Sequence, residues 1–124
     1  MAESFFSMFT TAEIAKISSA GTNVTLPEGW SPIWESTPAD KAYVILKGTV
    51  SVRHHGEEIA QLGPGDIMGE AALVRRSLRT ASIVALTPLE LIHFTDETIR
   101  RLSIEMPKFA EALEAVAAER FGDQ

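Results

Sequence analysis

The sequence predicts a mainly β fold with flanking helices: an antiparallel β-roll or jelly roll with an N-terminal helix and two C-terminal helices. Three observations predict it. Between residues 22 and 94, short apolar or alternating segments follow one another closely, parted by turn signals such as Pro27-Glu28-Gly29 and Gly63-Pro64-Gly65-Asp66. Many short strands with Gly and Pro turns make a small barrel or roll. Helical spacing and capping residues are confined to the two ends. Finally, 124 residues without a cysteine suit one domain with its own core, with no disulfide framework and no thiolate metal site or nucleophile. The expected divisions of this single domain, 1–124, are a helical piece over 1–21, a roll over 22–94 and C-terminal helices over 95–124.

Each element has its own local signal. Phe5, Phe6, Met8 and Phe9 form an aromatic-rich opening that needs a surface to bury against. Thr10-Thr11-Ala12-Glu13 has capping-box spacing, so a helix runs from there through Ile14 and Ile17 and stops near Gly21. Val24-Thr25-Leu26 is a short strand. Trp30 to Trp34 reads as a second, weakened by Pro32 and therefore placed at an edge, and Ser36 to Asp40 is a loop. Ala42 to Leu46 is strongly β-forming, while Thr49 to Val52 alternates as a half-buried strand does. His54-His55-Gly56-Glu57 is a hairpin tip from which Glu58 to Leu62 returns. Thr80 to Val84 and Leu89 to Phe94 are two more strands, parted by Thr87-Pro88. Thr95 caps a helix through Ile99 and Leu102. Pro107 suits the first turn of a last helix, with Phe109, Leu113, Val116 and Ala117 on one face and Phe121 near its end.

Composition removes several function classes. The formal charge is −6, and the basic clusters Arg75-Arg76 and Arg100-Arg101 are short, which argues against nucleic acid as a partner. Met1-Ala2-Glu3-Ser4 lacks the basic region and apolar run of a signal peptide, and no apolar run reaches membrane length. A soluble cytoplasmic protein with no membrane partner is the expectation. His54 and His55, adjacent on one strand, should point to opposite faces. With His93 they lack metal-ligand spacing, so no metal and no cofactor are expected. No nucleophile, base and orienting group occur together, so the chain reads as a non-enzyme. Tyr43, Trp30 and Trp34 read as core or edge packing.

One stretch does carry chemistry. In Met68-Gly69-Glu70-Ala71-Ala72-Leu73, Gly69 and Ala71 leave the backbone sterically open, and Glu70 to Leu73 suffice for one helical turn. Free N–H groups at the start of such a turn attract negative charge. After the tip Val74 to Leu78, Arg79 can fold back, and its guanidinium fork suits phosphate oxygens. Glu70 is unfavourable beside an anion unless it accepts from a ligand hydroxyl or pairs with Arg79. An anion with a neighbouring hydroxyl describes a nucleotide. Burying Glu70 and Arg79 with no ligand would be hard to justify, because an isolated buried pair often fails to offset its desolvation.

These residues, in order, resemble the cyclic nucleotide-binding domains of bacterial catabolite activators, protein kinase regulatory subunits and cyclic-nucleotide-gated channels. Glu28-Gly29, Ala39-Asp40, Tyr43 to Val52 and Leu62 to Asp66 match that family's β-roll pattern. Gly69-Glu70-Ala71-Ala72-Leu73 and Arg79-Thr80-Ala81 match its phosphate-binding cassette, here residues 69–81. The resemblance implies that Arg79 pairs with the cyclic phosphate, helped by the N–H groups of Ala71 and Ala72. It implies that Glu70 takes the ribose 2′-hydroxyl, that Gly69 allows close approach, and that Val52 and Ile59 line the base side. Thr80 stands where a threonine favours guanine, a tilt toward cyclic GMP. Phe121 is a candidate base cap by position, or packs on the roll. Departures are Ser36 for a turn glycine, Pro32 for an aliphatic residue, Leu78 for a proline, and a last helix that is short for the family.

The expected function is a stand-alone sensor domain that binds cyclic AMP or cyclic GMP and moves its C-terminal helices, with the turn at Met106-Pro107 as hinge. Its output would be an effector protein, or a homodimer formed through those helices. The alternative is a degenerate fold that binds no ligand and uses the apolar face of the last helix as a protein-interaction surface.

Overall fold

The computed structural model describes residues 4–34, 36, 40–70, 79 and 81–121. A 3-10 turn, Phe5–Met8, leads into helix α1, Thr11–Ala20. Thr10 caps it as the sequence predicts: its side chain accepts from the Glu13 N–H, and Glu13 accepts in return from the Thr10 N–H. Seven strands follow: β1 Thr22–Leu26, β2 Lys41–Lys47, β3 Val50–His54, β4 Glu57–Leu62, β5 Ile67–Met68, β6 Ser82–Ala85 and β7 Leu89–Thr95. Helices α2, Asp96–Glu105, and α3, Pro107–Phe121, close the described chain. The Thr95 side chain caps α2 by accepting from the Thr98 N–H.

The strands form two antiparallel sheets, one in the order β1-β7-β2-β5 and one in the order β4-β3-β6. Successive strand residues point to opposite faces, and the four-stranded sheet is covered on both. Ala42, Val44, Ile67, Ile92 and Phe94 face the helices and bury against Phe5, Phe9, Ile17, Leu102 and Phe109. Tyr43, Ile45, Met68, Leu89 and Leu91 face the lumen and meet Val50, Ile83 and Ala85 of the other sheet. Burial on both faces explains why β2 reads as a continuous apolar run instead of an alternation. The backbone turns sharply after β2 at Gly48, where φ is +103° and a Cβ would stand 2.5 Å from the Pro88 carbonyl oxygen; only glycine fits there.

Three expectations need correction. Trp30 to Trp34 is not a strand but a single bridge, Ile33 to Ile83. Ala85 and Ile83, two residues apart, donate to the carbonyls of Trp30 and Ile33, three residues apart, so no regular ladder can form. His54 and His55 do not diverge to opposite faces. His55 leaves the strand with φ +52°, and the two rings stack at 4.0 Å. The last helix runs Pro107–Phe121, as its spacing predicts, but its apolar face is no free docking surface, since Phe109, Leu113, Val116 and Ala117 are buried within the chain. Of the aromatic residues read as packing, Tyr43 is core, whereas Trp30 and Trp34 are exposed at 61% and 62%.

Candidate ligand-binding site

The site starts from a strand of two residues. Pairing of Tyr43 with Met68 and of Val44 with Ile67 lays β5 along the first half of β2. The chain then turns at Gly69, with φ +88°. A Cβ there would lie 2.6 Å from Arg79 Nη1, 2.9 Å from Ile33 Cδ1 and 3.1 Å from the Lys41 carbonyl oxygen. Both the backbone angle and the space exclude a side chain, which is what lets Arg79 approach. Glu70, the first helical residue after this turn, is 1% exposed.

Arg79 returns to the same point and is 5% exposed. Its Nη1 donates to the Gly69 carbonyl at 2.6 Å and its Nη2 to the Lys41 carbonyl at 2.7 Å. Its own carbonyl accepts from the Ser36 N–H at 2.7 Å, where Ser36 holds a left-handed φ of +67°. Burial lowers the Arg79 pKa, and the charges of Asp40 and Tyr43 oppose that shift. A guanidinium starts so far above neutrality that it stays charged. Five N–H donors belong to that group, so two carbonyls do not exhaust it.

Of the residues predicted for the site, Gly69, Glu70 and Arg79 come together. Val52 lies on the same lumen core, at two removes from Gly69. It pairs with Ile83 and Ala60 and packs on the lumen core, while the Ile83 N–H donates to Ile33, whose Cδ1 lies over Gly69. Ile59 is set apart. The register of β3 and β4 shifts between Val52 and Arg53, so Ile59 is the extra residue of a bulge and is 62% exposed. Ala71, Ala72, Thr80 and the tip before Arg79 lie outside the described residues, and so does the Phe121 side chain.

Three neighbours of the site were not expected from the sequence. Lys41 contributes through its main-chain carbonyl, which leaves no side-chain signature. Ile33 lies in a segment read as an edge strand. Tyr43 sits among apolar neighbours, yet its ring stands in one row with Met68 on one side and His93 on the other. The Tyr43 and His93 rings are 5.3 Å apart. Burial raises the Tyr43 pKa and the Arg79 charge opposes it. His93 is shifted downward, first by burial and then by the Lys41 charge, against Asp40.

A buried guanidinium that keeps donors beyond the two carbonyls it meets is chemistry suited to an anionic oxygen. The comparisons with known proteins agree in kind. Residues 23–105 match the cyclic nucleotide-binding domain family. A CRP-like cAMP-activated global transcriptional regulator of Mycobacterium tuberculosis is 26% identical over 102 residues, 78% of this chain and 46% of that protein. A cyclic nucleotide-gated potassium channel of Mesorhizobium japonicum is 31% identical over 98 residues, 79% of this chain and 27% of that protein. The catabolite activator protein of Thermus thermophilus superposes with a TM-score of 0.84 at 27% identity, over 96% of this chain and 58% of that one. The chain spans less than two thirds of the length of each.

Proposed function

We propose a sensing function from a plain premise: the chain belongs to the cyclic nucleotide-binding domain family. In this proposal it binds cyclic AMP or cyclic GMP on the Arg79 donors that the Gly69 and Lys41 carbonyls leave over, and transmits occupancy to its C-terminal helices. The observation that carries it is the buried Arg79, held beside a glycine turn that no other residue could form. Glu70, buried next to it, would accept from the ribose 2′-hydroxyl, and Val52 would meet the base. No catalytic step is required.

Coupling to the helices has a physical route. Lys41 and Asp40 offer adjacent carbonyls. The first accepts from Arg79, and the second accepts at 3.1 Å from the N–H of Asp96, the first residue of α2. A ligand that draws on the Arg79 donors would act on the segment that also holds the start of α2. It would favour whichever helix arrangement it contacts better. Met106 breaks the helical path between α2 and α3, with φ −130° and ψ 89°, and would serve as hinge. Because α3 shares one apolar cluster with Phe5, Phe9 and Ile17, its movement would carry the N-terminal piece with it. The listener would be an effector protein or a second copy.

A second reading has one observation in its favour. The fork of Arg79 already meets two backbone carbonyls, so its burial is supported without a ligand, as it would be in a domain that keeps the fold and works only as an interaction module. Titration calorimetry with cyclic AMP and cyclic GMP separates the readings. Saturable heat with the wild type, lost in a folded Arg79→Ala variant, supports the sensor. No binding of either nucleotide up to about millimolar concentration, where the binding free energy is only about −4 kcal/mol, supports the module.

A further inference from the structure

We propose that the Tyr43 hydroxyl is a second ligand contact in the site, donating a hydrogen bond to an exocyclic oxygen of the anionic group held by Arg79, with the His93 ring fixing its position. The inference rests on the sensor proposal above and adds a residue that proposal does not use.

Four observations lead to it. Tyr43 is 8% exposed and lies in the lumen core, yet among the described residues its hydroxyl has no hydrogen-bond partner. Tyrosine hydroxyls in such settings usually find one. No buried side-chain nitrogen or oxygen in the described structure lacks a partner, so the hydroxyl is the part of the residue that still meets solvent. The position fits the anion. Tyr43 lies across from Met68, one residue before Gly69, and two residues beyond Lys41, and the carbonyls of Gly69 and Lys41 are the two that hold Arg79. Residues two apart on a strand are about 7 Å from each other on the same face, within the reach of a tyrosine side chain. Finally, His93 pairs with Tyr43 in β7 and packs its ring at 5.3 Å, which limits the ring to few orientations.

The chemistry suits the role. A neutral phenol donates to an anionic oxygen without adding charge to a pocket that already holds Glu70. Burial keeps that phenol protonated. Hydrogen bonds to charged groups are the stronger kind.

The test is Tyr43→Phe, which keeps the ring and removes only the donor. Affinities for cyclic AMP, cyclic GMP and the two phosphorothioate diastereomers of cyclic AMP are measured by titration calorimetry, with melting temperature recorded alongside. The expected result is about tenfold weaker binding of the parent nucleotide, with unchanged melting. That loss should be largely erased for one diastereomer, in which sulfur, a poor acceptor, replaces the oxygen that Tyr43 addresses. Wild-type binding with Tyr43→Phe within about twofold of it overturns the inference and leaves the sensor proposal standing. So does an equal loss for all ligands, or a loss accompanied by lowered melting, since either describes a packing role. Absence of binding by the wild type overturns both.

Discussion

The two faces of the four-stranded sheet are made from the same strands but in different ways. Toward the helices, β2 and β7 present Ala42, Val44, Ile92 and Phe94, and the aromatic rings of Phe5, Phe9 and Phe109 close over them. Phe109 meets Phe5 at 5.6 Å nearly edge-on and Phe9 at 6.4 Å. Toward the lumen, the same two strands present Tyr43, Ile45, Leu91 and His93, and the end nearest Gly69 holds a guanidinium and a phenol. A closed apolar face stabilises; a face with buried polar groups gives up some stability for groups that a ligand can use. One residue of offset along a strand separates the two roles.

If that division holds, the helix side can be damaged without abolishing recognition. Phe109→Ala removes a fully buried ring and should cost about 3–5 kcal/mol, a large share of the stability of a domain this size. Chemical denaturation measures the loss. Nucleotide affinity of the fraction that remains folded should shift only by the coupling between helices and site, a smaller change than the loss of stability. A folded Phe109→Ala protein that no longer binds would show that the two faces are energetically one.

The lumen side should respond in the opposite way. Glu70→Gln keeps the shape of the buried side chain but weakens it as an acceptor. We expect roughly tenfold weaker binding of the ribonucleotide, little change for the 2′-deoxy analogue, and near-normal melting. Equal effects on both ligands would show that Glu70 supports the turn and does not read the ribose.

The sequence made the helix side more legible than the lumen side, and the reason is physical. Capping residues act on their own helix, so Thr10 with Glu13 and Thr95 with Thr98 announce α1 and α2 locally. The apolar face of α3 repeats at helical spacing, and the helix reaches Phe121 as that spacing predicts. The family assignment rested on the ordered glycine turns and the Gly69-Glu70 and Arg79 motifs, and Gly69, Glu70 and Arg79 do converge. Other contributions leave no local trace. A two-residue strand, Ile67–Met68, is too short to show a period. The Lys41 carbonyl has no side-chain code. A bulge residue such as Ile59 sits in an ordinary alternating run. Tyr43 in an apolar stretch looks like core until its hydroxyl is seen to lack a partner among the described residues.

The smallest effect tests what fastens α3 to the N-terminal piece besides its apolar face. One Glu13 carboxylate oxygen accepts from the Thr10 N–H at 2.8 Å and from Lys108 Nζ at 2.9 Å, and Lys108 Nζ also lies 5.5 Å above the Phe9 ring. These contacts, the Thr10 N–H first and Lys108 second, hold the Glu13 pKa below its ordinary 4.5. A carboxylate lowered on folding contributes stability that is present above its unfolded pKa and is lost as pH falls through the folded value. Glutamine at position 13 can still complete the capping box, so Glu13→Gln isolates the charge. The melting difference between wild type and Glu13→Gln should be full near neutrality and should shrink steadily once the pH drops below 4.5. It should also be smaller than the Phe109→Ala effect, because the pair is solvent-exposed and screened. A difference that does not change with acid would mean the ion pair contributes nothing. The helix layer would then be held by its apolar side chains alone, and the contrast between a purely apolar face and a polar one would be sharper than the structure now draws it.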